Sequence, residues 1–419
     1  MERNGQGIGE EYDARPVASS RALKRLVLIL ALTVPLPSRV EASHTPSRHP
    51  TRARAKVVIP RERLAQAEAQ KGGRFQVALD GGGRAELTLD PRIQKMSERV
   101  LKSHHTPYAA AVVLSVDDGR VLAMAGHSTT EPEKSAAELC LTPWAPAASI
   151  FKLVTSAALL ASGVRPGETV CYHGGIHSVE SSNLSANPRL DDNCHSFAFG
   201  LAKSQNAIIA RLATEHLDTG RLSQMARAFG FGETLPGDVS MSPSTAAIPD
   251  DSLAFARTAA GFWRTTLSPL HGAWMAATIA RAGMSPPIHL VSRLLDDHGS
   301  GAPEMTPSHR VLDEGTARTL ARMMVGTTEF GTAHRGFHDH DGKSYLRFSV
   351  AGKTGSLTRR DGPYLGYSWF VGFAPASHPE VAVAVLLGNG EDRVVKAHAV
   401  AREILEGYFE RGNREIAKR

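Results

Sequence analysis

The sequence predicts an α+β protein: one antiparallel sheet flanked by helices, with an all-helical lobe between its early and late strands. Three observations predict it. Two apolar, β-rich runs at 109–116 and 120–125 are joined by Asp117-Asp118-Gly119, a dipeptide turn signal for a hairpin. Three more β-rich runs return at 349–356, 367–373 and 381–387. The stretch between, about 149–324, carries mainly helical periodicity, broken at Pro166-Gly167, Pro236-Gly237 and Pro286-Pro287.

From the N-terminus, Arg21, Lys24 and Arg25 precede an apolar run at 26–36, interrupted by Thr33 and Pro35, and Val40-Glu41-Ala42 offers a small-residue cleavage pattern. Such a run falls short of the roughly 20 residues a bilayer span needs. Residues 1–43 therefore read as a secretory signal, with an uncleaved anchor in the inner membrane as the alternative. The leader also explains the charge. Residues 1–74 hold 14 Lys and Arg against 7 Asp and Glu, and the other 345 hold 34 against 35, within a formal total of +6. The body is nearly neutral, which argues against a nucleic-acid partner.

Residues 44–84 read as a basic linker and a short N-terminal segment, 85–411 as the main domain and 412–419 as a tail. Within the domain, Leu87-Thr88-Leu89 is extended, Asp90 caps a helix and Pro91 takes its first position. The helix continues through Ile93, Met96, Val100 and Leu101, the hairpin follows, and the last helix runs from about 393 to 408. Cys171 and Cys194 bracket a stretch rich in Gly, Ser, Asn and Asp. In an oxidising compartment their pairing closes a loop, a crosslink worth roughly 2–4 kcal/mol. Cys140 is then left over, and free thiols remain the alternative.

Three short patterns carry chemistry. Ser149-Ile150-Phe151-Lys152 opens an apolar helical stretch, and its three-residue separation puts both side chains on one helix face. A serine hydroxyl needs a base, and a lysine serves only as the free amine, which burial and a nearby cation favour. Ser204-Gln205-Asn206 precedes a second helical pattern. Its functional reading makes Ser204 a proton relay and Asn206 a holder of a substrate amide; its plain reading is a helix cap at Ser204. Lys353-Thr354-Gly355-Ser356 lies in a β-run. Lys353 and Thr354 suit a substrate carboxylate, Gly355 admits a ligand backbone, and the Ser356 N–H suits a developing oxyanion. The plain alternative is a surface lysine on a strand.

Together, in this order and 55 and then 149 residues apart, these patterns resemble the three-motif signature of the penicillin-binding protein and serine β-lactamase superfamily. The similarity extends over about 85–410 to the penicillin-binding protein transpeptidase domain. It implies a serine acyltransferase acting on D-Ala-D-Ala stem peptides of peptidoglycan through an acyl-enzyme on Ser149, with Lys152 and Ser204 catalytic and Asn206, Lys353, Thr354, Gly355 and Ser356 binding substrate. It implies β-lactams as ligands, no cofactor, no metal, an extracytoplasmic or periplasmic location, and a separate glycosyltransferase or cell-wall assembly protein as partner. Whether the acyl group passes to an amine or to water stays open.

Two departures stand out. The N-terminal region is too short for a full pedestal domain, and Trp144-Ala145-Pro146-Ala147-Ala148 stands where relatives carry a Pro-Gly pair. A β-lactamase of one class would need a Glu-x-x-x-Asn pattern after the second motif, where the chain has Glu233 without the Asn. Another class carries Ser-x-Val in place of Ser204-Gln205-Asn206. A non-catalytic β-lactam sensor is opposed by the complete residue set. His334, His338, Asp339, His340 and Asp341 match no zinc spacing and read as a polar loop.

Overall fold

The computed structural model describes residues 57–416, apart from 72, 297, 298 and 393. The leader and its cleavage pattern lie outside the described residues. A short helix, α1 (Arg61–Leu64), leads into three small strands, β1 (Glu68–Ala69), β2 (Phe75–Ala78) and β3 (Arg84–Leu87). Helix α2 (Pro91–Ser103) starts where Asp90 accepts hydrogen bonds from the N–H groups of Arg92 and Ile93, with Pro91 at a position that has no N–H to lose.

The hairpin follows as β4 (Tyr108–Ser115) and β5 (Val121–Ser128). The lobe is built from α3 (Ala136–Leu141), β6 (Ala145–Pro146), a 3-10 turn (Ala148–Phe151), α4 (Lys152–Ala161), β7 (Thr169–Tyr172), β8 (Asn193–Ser196) and α5 (Phe197–Ala202). It continues through α6 (Asn206–His216), α7 (Thr219–Ala228), α8 (Ser252–Ala259), β9 (Thr266–Leu267) and α9 (Pro269–Ala280). Two short strands, β10 (Val291–Asp296) and β11 (Gly299–Gly301), precede α10 (Glu314–Glu329) and α11 (His334–Phe337). The chain closes with β12 (Ala351–Arg359), β13 (Leu365–Ala374), β14 (Val381–Asn389) and α12 (Ala397–Ile416).

The late strands do complete the early hairpin. The main sheet has the order β12-β13-β14-β4-β5, antiparallel throughout, with Val112 opposite Ala384 where β4 meets β14. Both faces are covered, which is why β4 and β14 are apolar without alternation. On one face Val112, Leu114, Ala384 and Leu386 join the lobe's core, which includes α9, a helix buried almost all round. On the other, Val113, Val383 and Val385 pack with Val400, Ile404 and Leu405 of α12.

A second sheet, β1-β2-β3-β10-β11, was not foreseen. It joins residues from before the hairpin to residues from the end of the lobe, with Leu87 opposite Val291. The lobe is therefore mainly helical rather than purely so. The last helix starts four residues later than its periodicity suggested, because the preceding loop is fixed by other bonds: Val395 N–H donates to Asn389 Oδ1 and Ala397 N–H to Ser368 Oγ.

Candidate active site

Ser149 sits on the 3-10 turn that feeds α4, so its hydroxyl and the Lys152 side chain point the same way. The turn is set by its neighbours. Ala147 N–H donates to Thr265 O, and a Cβ on Gly261 would stand 2.3 Å from Ala148 O. Gly261 must therefore be glycine for the turn to sit where it does. Ala148 adopts left-handed backbone at φ 50°, a conformation that costs a side-chain-bearing residue roughly 1–2 kcal/mol.

Lys152 is wholly buried. Its Nζ lies 2.7 Å from Ser149 Oγ, 2.6 Å from Asn206 Oδ1 and 3.4 Å from Ser204 Oγ. Burial, and then the charge of Lys353, hold its pKa well below the ordinary lysine value. Lys353 on β12 is also wholly buried, which rules out the surface-lysine reading. Its Nζ bonds Ser204 Oγ at 2.9 Å and Thr354 O at 2.9 Å, and burial pushes its pKa down to about 7. Among the described residues no carboxylate pairs with either lysine. Two buried amines sharing one hydroxyl, without a counter-anion, favour a state in which at least one is neutral.

Ser204 is not a helix cap. It stands between α5 and α6 at φ 56°, and Gln205 takes the cap position without a side-chain bond. That reversed backbone aims the Ser204 hydroxyl at both lysines. Asn206 is held on two sides. Its Oδ1 is engaged by Lys152 and its Nδ2 donates to Ile176 O at 2.9 Å, leaving one N–H for a ligand.

Ile176 belongs to the loop between β7 and β8, where Cys171 and Cys194 lie opposite each other and are disulfide-bonded. Arg211 of α6 anchors this loop, donating to Asn183 O at 3.0 Å and to Asp191 Oδ2 at 2.8 Å. Asp191 also meets His173 Nδ1 at 2.6 Å, and the Arg211 bond holds its carboxyl well below the usual range. A Cβ on Gly175 would stand 2.5 Å from Ala207 Cβ, so the loop lies directly on the start of α6.

On the opposite wall, Thr354 Oγ1 is 2.5 Å from Thr332 Oγ1, and Ser356 is exposed. A Cβ on Gly355 would stand 3.3 Å from Ala148 Cβ and Ile150 Cγ1, so the glycine also lets β12 pack closely against the nucleophile turn. Ser149, Ser204, Asn206, Thr354 and Ser356 line one cavity of about 650 Å³, and Lys152 and Lys353 lie behind its wall. Gly261, Thr332, Ile176 and Arg211 are the parts that no short pattern marks.

The polar histidine segment lies elsewhere. His334 of α11 and His338, just past its end, stack at 4.3 Å, and Asp339 Oδ1 closes a turn by accepting from Asp341 N–H and Lys343 N–H. Cys140 is buried with its thiol 3.3 Å from Ala125 O. Glu233 does not line the cavity.

The profile of the penicillin binding protein transpeptidase domain matches residues 109–406. Peptidoglycan D,D-transpeptidase PbpA of Mycobacterium tuberculosis (strain ATCC 25618 / H37Rv) is 28% identical to the chain, covering 75% of it and 69% of the relative. Stage V sporulation protein D of Bacillus subtilis (strain 168) is 23% identical, covering 76% of this chain and 52% of its own. Among solved structures, the imipenem acyl-enzyme complex of penicillin-binding protein A from M. tuberculosis superposes with a TM-score of 0.63 at 26% identity, covering 78% of this chain and 80% of that one. The crystal structure of PBPA from the same organism gives 0.62 at 25% identity with the same coverage.

Proposed function

The chain belongs to the penicillin-binding protein transpeptidase family, and from that premise we propose that it is a peptidoglycan D,D-transpeptidase whose acyl-enzyme forms on Ser149. The observation that carries this reading is the placement of Lys152 Nζ within hydrogen-bond reach of Ser149 Oγ, in a buried site that favours the free amine. Ser149 Oγ attacks the carbonyl of the penultimate D-alanine and its proton passes to Lys152 Nζ. The backbone N–H groups of Ser149 and Ser356 receive the developing oxyanion. When the C–N bond breaks, the leaving D-alanine amine takes the proton from Lys152 by way of Ser204, whose oxygen touches both lysines. An acceptor amine then attacks the ester, gives up its proton along the same route and releases Ser149. A β-lactam opens by the same first step, but its leaving nitrogen stays tethered, so the adduct persists.

Lys353 holds Ser204 from behind the wall, so recognition of the terminal carboxylate falls to Thr354 and Ser356, with the Lys353 charge supporting from below. Charge-assisted bonds of this kind contribute roughly 1.5–3 kcal/mol. Thr354→Val keeps shape and burial while deleting the hydroxyl. It slows acylation by donors with a free terminal carboxylate by about 10- to 100-fold and barely affects a matched donor whose terminus is amidated. Equal losses on both donors would mean that Thr354 serves only the contact with Thr332.

Transfer to an amine is proposed as the main outcome and hydrolysis, a carboxypeptidase reaction, as the minor one. Mass analysis of products from a pentapeptide donor, with and without an acceptor strand, tests this. Crosslinked product should dominate with acceptor present; tetrapeptide alone under both conditions would make the enzyme a carboxypeptidase. We further assign the domain to the outer side of the cytoplasmic membrane, exported or anchored by residues 1–43. The Cys171–Cys194 bond suits an oxidising compartment, and no helix among the described residues is long and apolar enough to cross a membrane. A glycosyltransferase that supplies polymerised strands is the expected partner.

A further inference from the structure

We propose that the cleft contains a second anion site, centred on Lys396 at the start of α12, which recognises a carboxylate of the donor peptide on the N-terminal side of the scissile bond. The proposal rests on the transpeptidase reading and adds substrate class to it.

The order of groups along β12 sets the direction. If Thr354 meets the terminal carboxylate and the Ser356 N–H meets the scissile carbonyl, the peptide upstream of that carbonyl continues toward Thr358. A strand rises about 3.3 Å per residue, so Thr358 stands roughly 13 Å from Thr354, a few peptide residues away. The cavity continues there: Thr358, Lys396 and His398 line the same space as Ser149, and Val395, next to Lys396, exchanges hydrogen bonds with Asn389, which pairs with Gly366 opposite Thr358. Pairing places Ser368 opposite Ser356, and Gly366, also in the lining, opposite Thr358.

The charge balance of this space is one-sided. Its lining includes Lys203 and Lys396 and no Asp or Glu. Lys203 Nζ is engaged with Phe330 O, whereas Lys396 is exposed and its ammonium has no hydrogen bond or ion pair among the described residues. Glu391 and Asp392, on the same loop, are exposed and outside the lining.

The ground beneath Lys396 is built for an acceptor. Ser368 is 5% exposed, and its Oγ accepts from Ala397 N–H at 3.0 Å, so its own proton is free to donate. The positive end of the α12 dipole lies at the same point. Burial and the Lys396 charge push His398 down to about 4, so its ring adds no charge at neutral pH. A neutral hydroxyl donor, a helix start and an uncompensated ammonium in a cleft without carboxylates select an anion. An acidic side chain or free α-carboxylate upstream of the D-alanines supplies it.

The test compares two donor peptides that differ only in whether that upstream carboxylate is free or amidated, with acylation followed on the full chain. Wild type should favour the free carboxylate by about tenfold, Lys396→Gln should bring the ratio near one, and Lys396→Glu should invert it. Lys396 is a surface side chain, and the ratio within each variant cancels any change in overall activity. An unchanged ratio in both variants, or equal use of the two donors by wild type, would overturn the second site alone. Failure of wild type to use either donor, while benzylpenicillin still labels Ser149, would overturn the donor reading on which it depends.

Discussion

Ser149→Ala protein forms no covalent penicillin adduct and turns over a D-Ala-D-Ala donor roughly 10⁵- to 10⁶-fold more slowly than wild type. The size of the effect follows from what remains. The oxyanion donors and the carboxylate site persist, so the ligand still docks, but no atom is left to form the ester. The fold should survive, since the lost hydroxyl touches Lys152 at the cavity edge and Asn206 continues to hold that amine. Intact-mass measurement reads the adduct, and peptide mapping of wild type should place it on the segment that spans Ser149. Reversible penicillin binding to the variant, seen as a thermal shift, completes the expected pattern. An adduct on any other residue, or normal labelling of the variant, would remove Ser149 from its role.

Lys152→Met should lower the acylation rate by about 10³- to 10⁴-fold, the upper part of the range for losing a general base. Methionine has similar length and fills the buried space, so lost packing is a minor contribution. The pH dependence separates base loss from distortion. Lys152 acts as the free amine, and its pKa is depressed by burial and by Lys353. Wild-type acylation should therefore rise as pH increases through that lowered value, and the variant's profile should be flat over the same range.

Stability carries the opposite face of the same shift. Each lysine binds its proton less tightly folded than unfolded. The penalty is full below the folded value, about 7 for Lys353, and gone above the ordinary lysine value. Between them the unfolded chain holds more protons, so stability increases with pH across that window. Lys152→Met should weaken this increase, as melting temperatures measured from pH 7 to 10 would show. A variant that retained acylation within tenfold of wild type would exclude the base role.

Much of the architecture was legible because it is locally encoded. The Asp118-Gly119 turn, the Asp90 cap with Pro91, and continuous apolar strands each declare an element without knowledge of the rest. The second sheet was not legible, since strands such as Arg84–Leu87 are short and partly polar and their partners lie some 200 residues away. The site divides in the same manner. Residue types at Ser149, Lys152, Ser204, Asn206 and Lys353 announced the chemistry, but their contacts depend on packing. The reversed backbone at Ser204 turns an apparent cap into a bridge between two amines, burial places Lys353 behind the wall, and Gly355 also serves the packing of β12 on the nucleophile turn.

The pairing of β4 with β14 also has a consequence in time. Val112 meets Ala384, so the ribosome delivers the first strand of the sheet's centre long before the second. At 5–20 residues per second the interval is roughly 15–50 s. Throughout it the β4–β5 hairpin has an open apolar edge whose unpaired N–H and C=O groups invite pairing with any passing strand. Such long-range closure is intrinsically slow. Until β14 arrives that edge stays open to mispairing, a liability created by strand order rather than by any recognisable sequence signal.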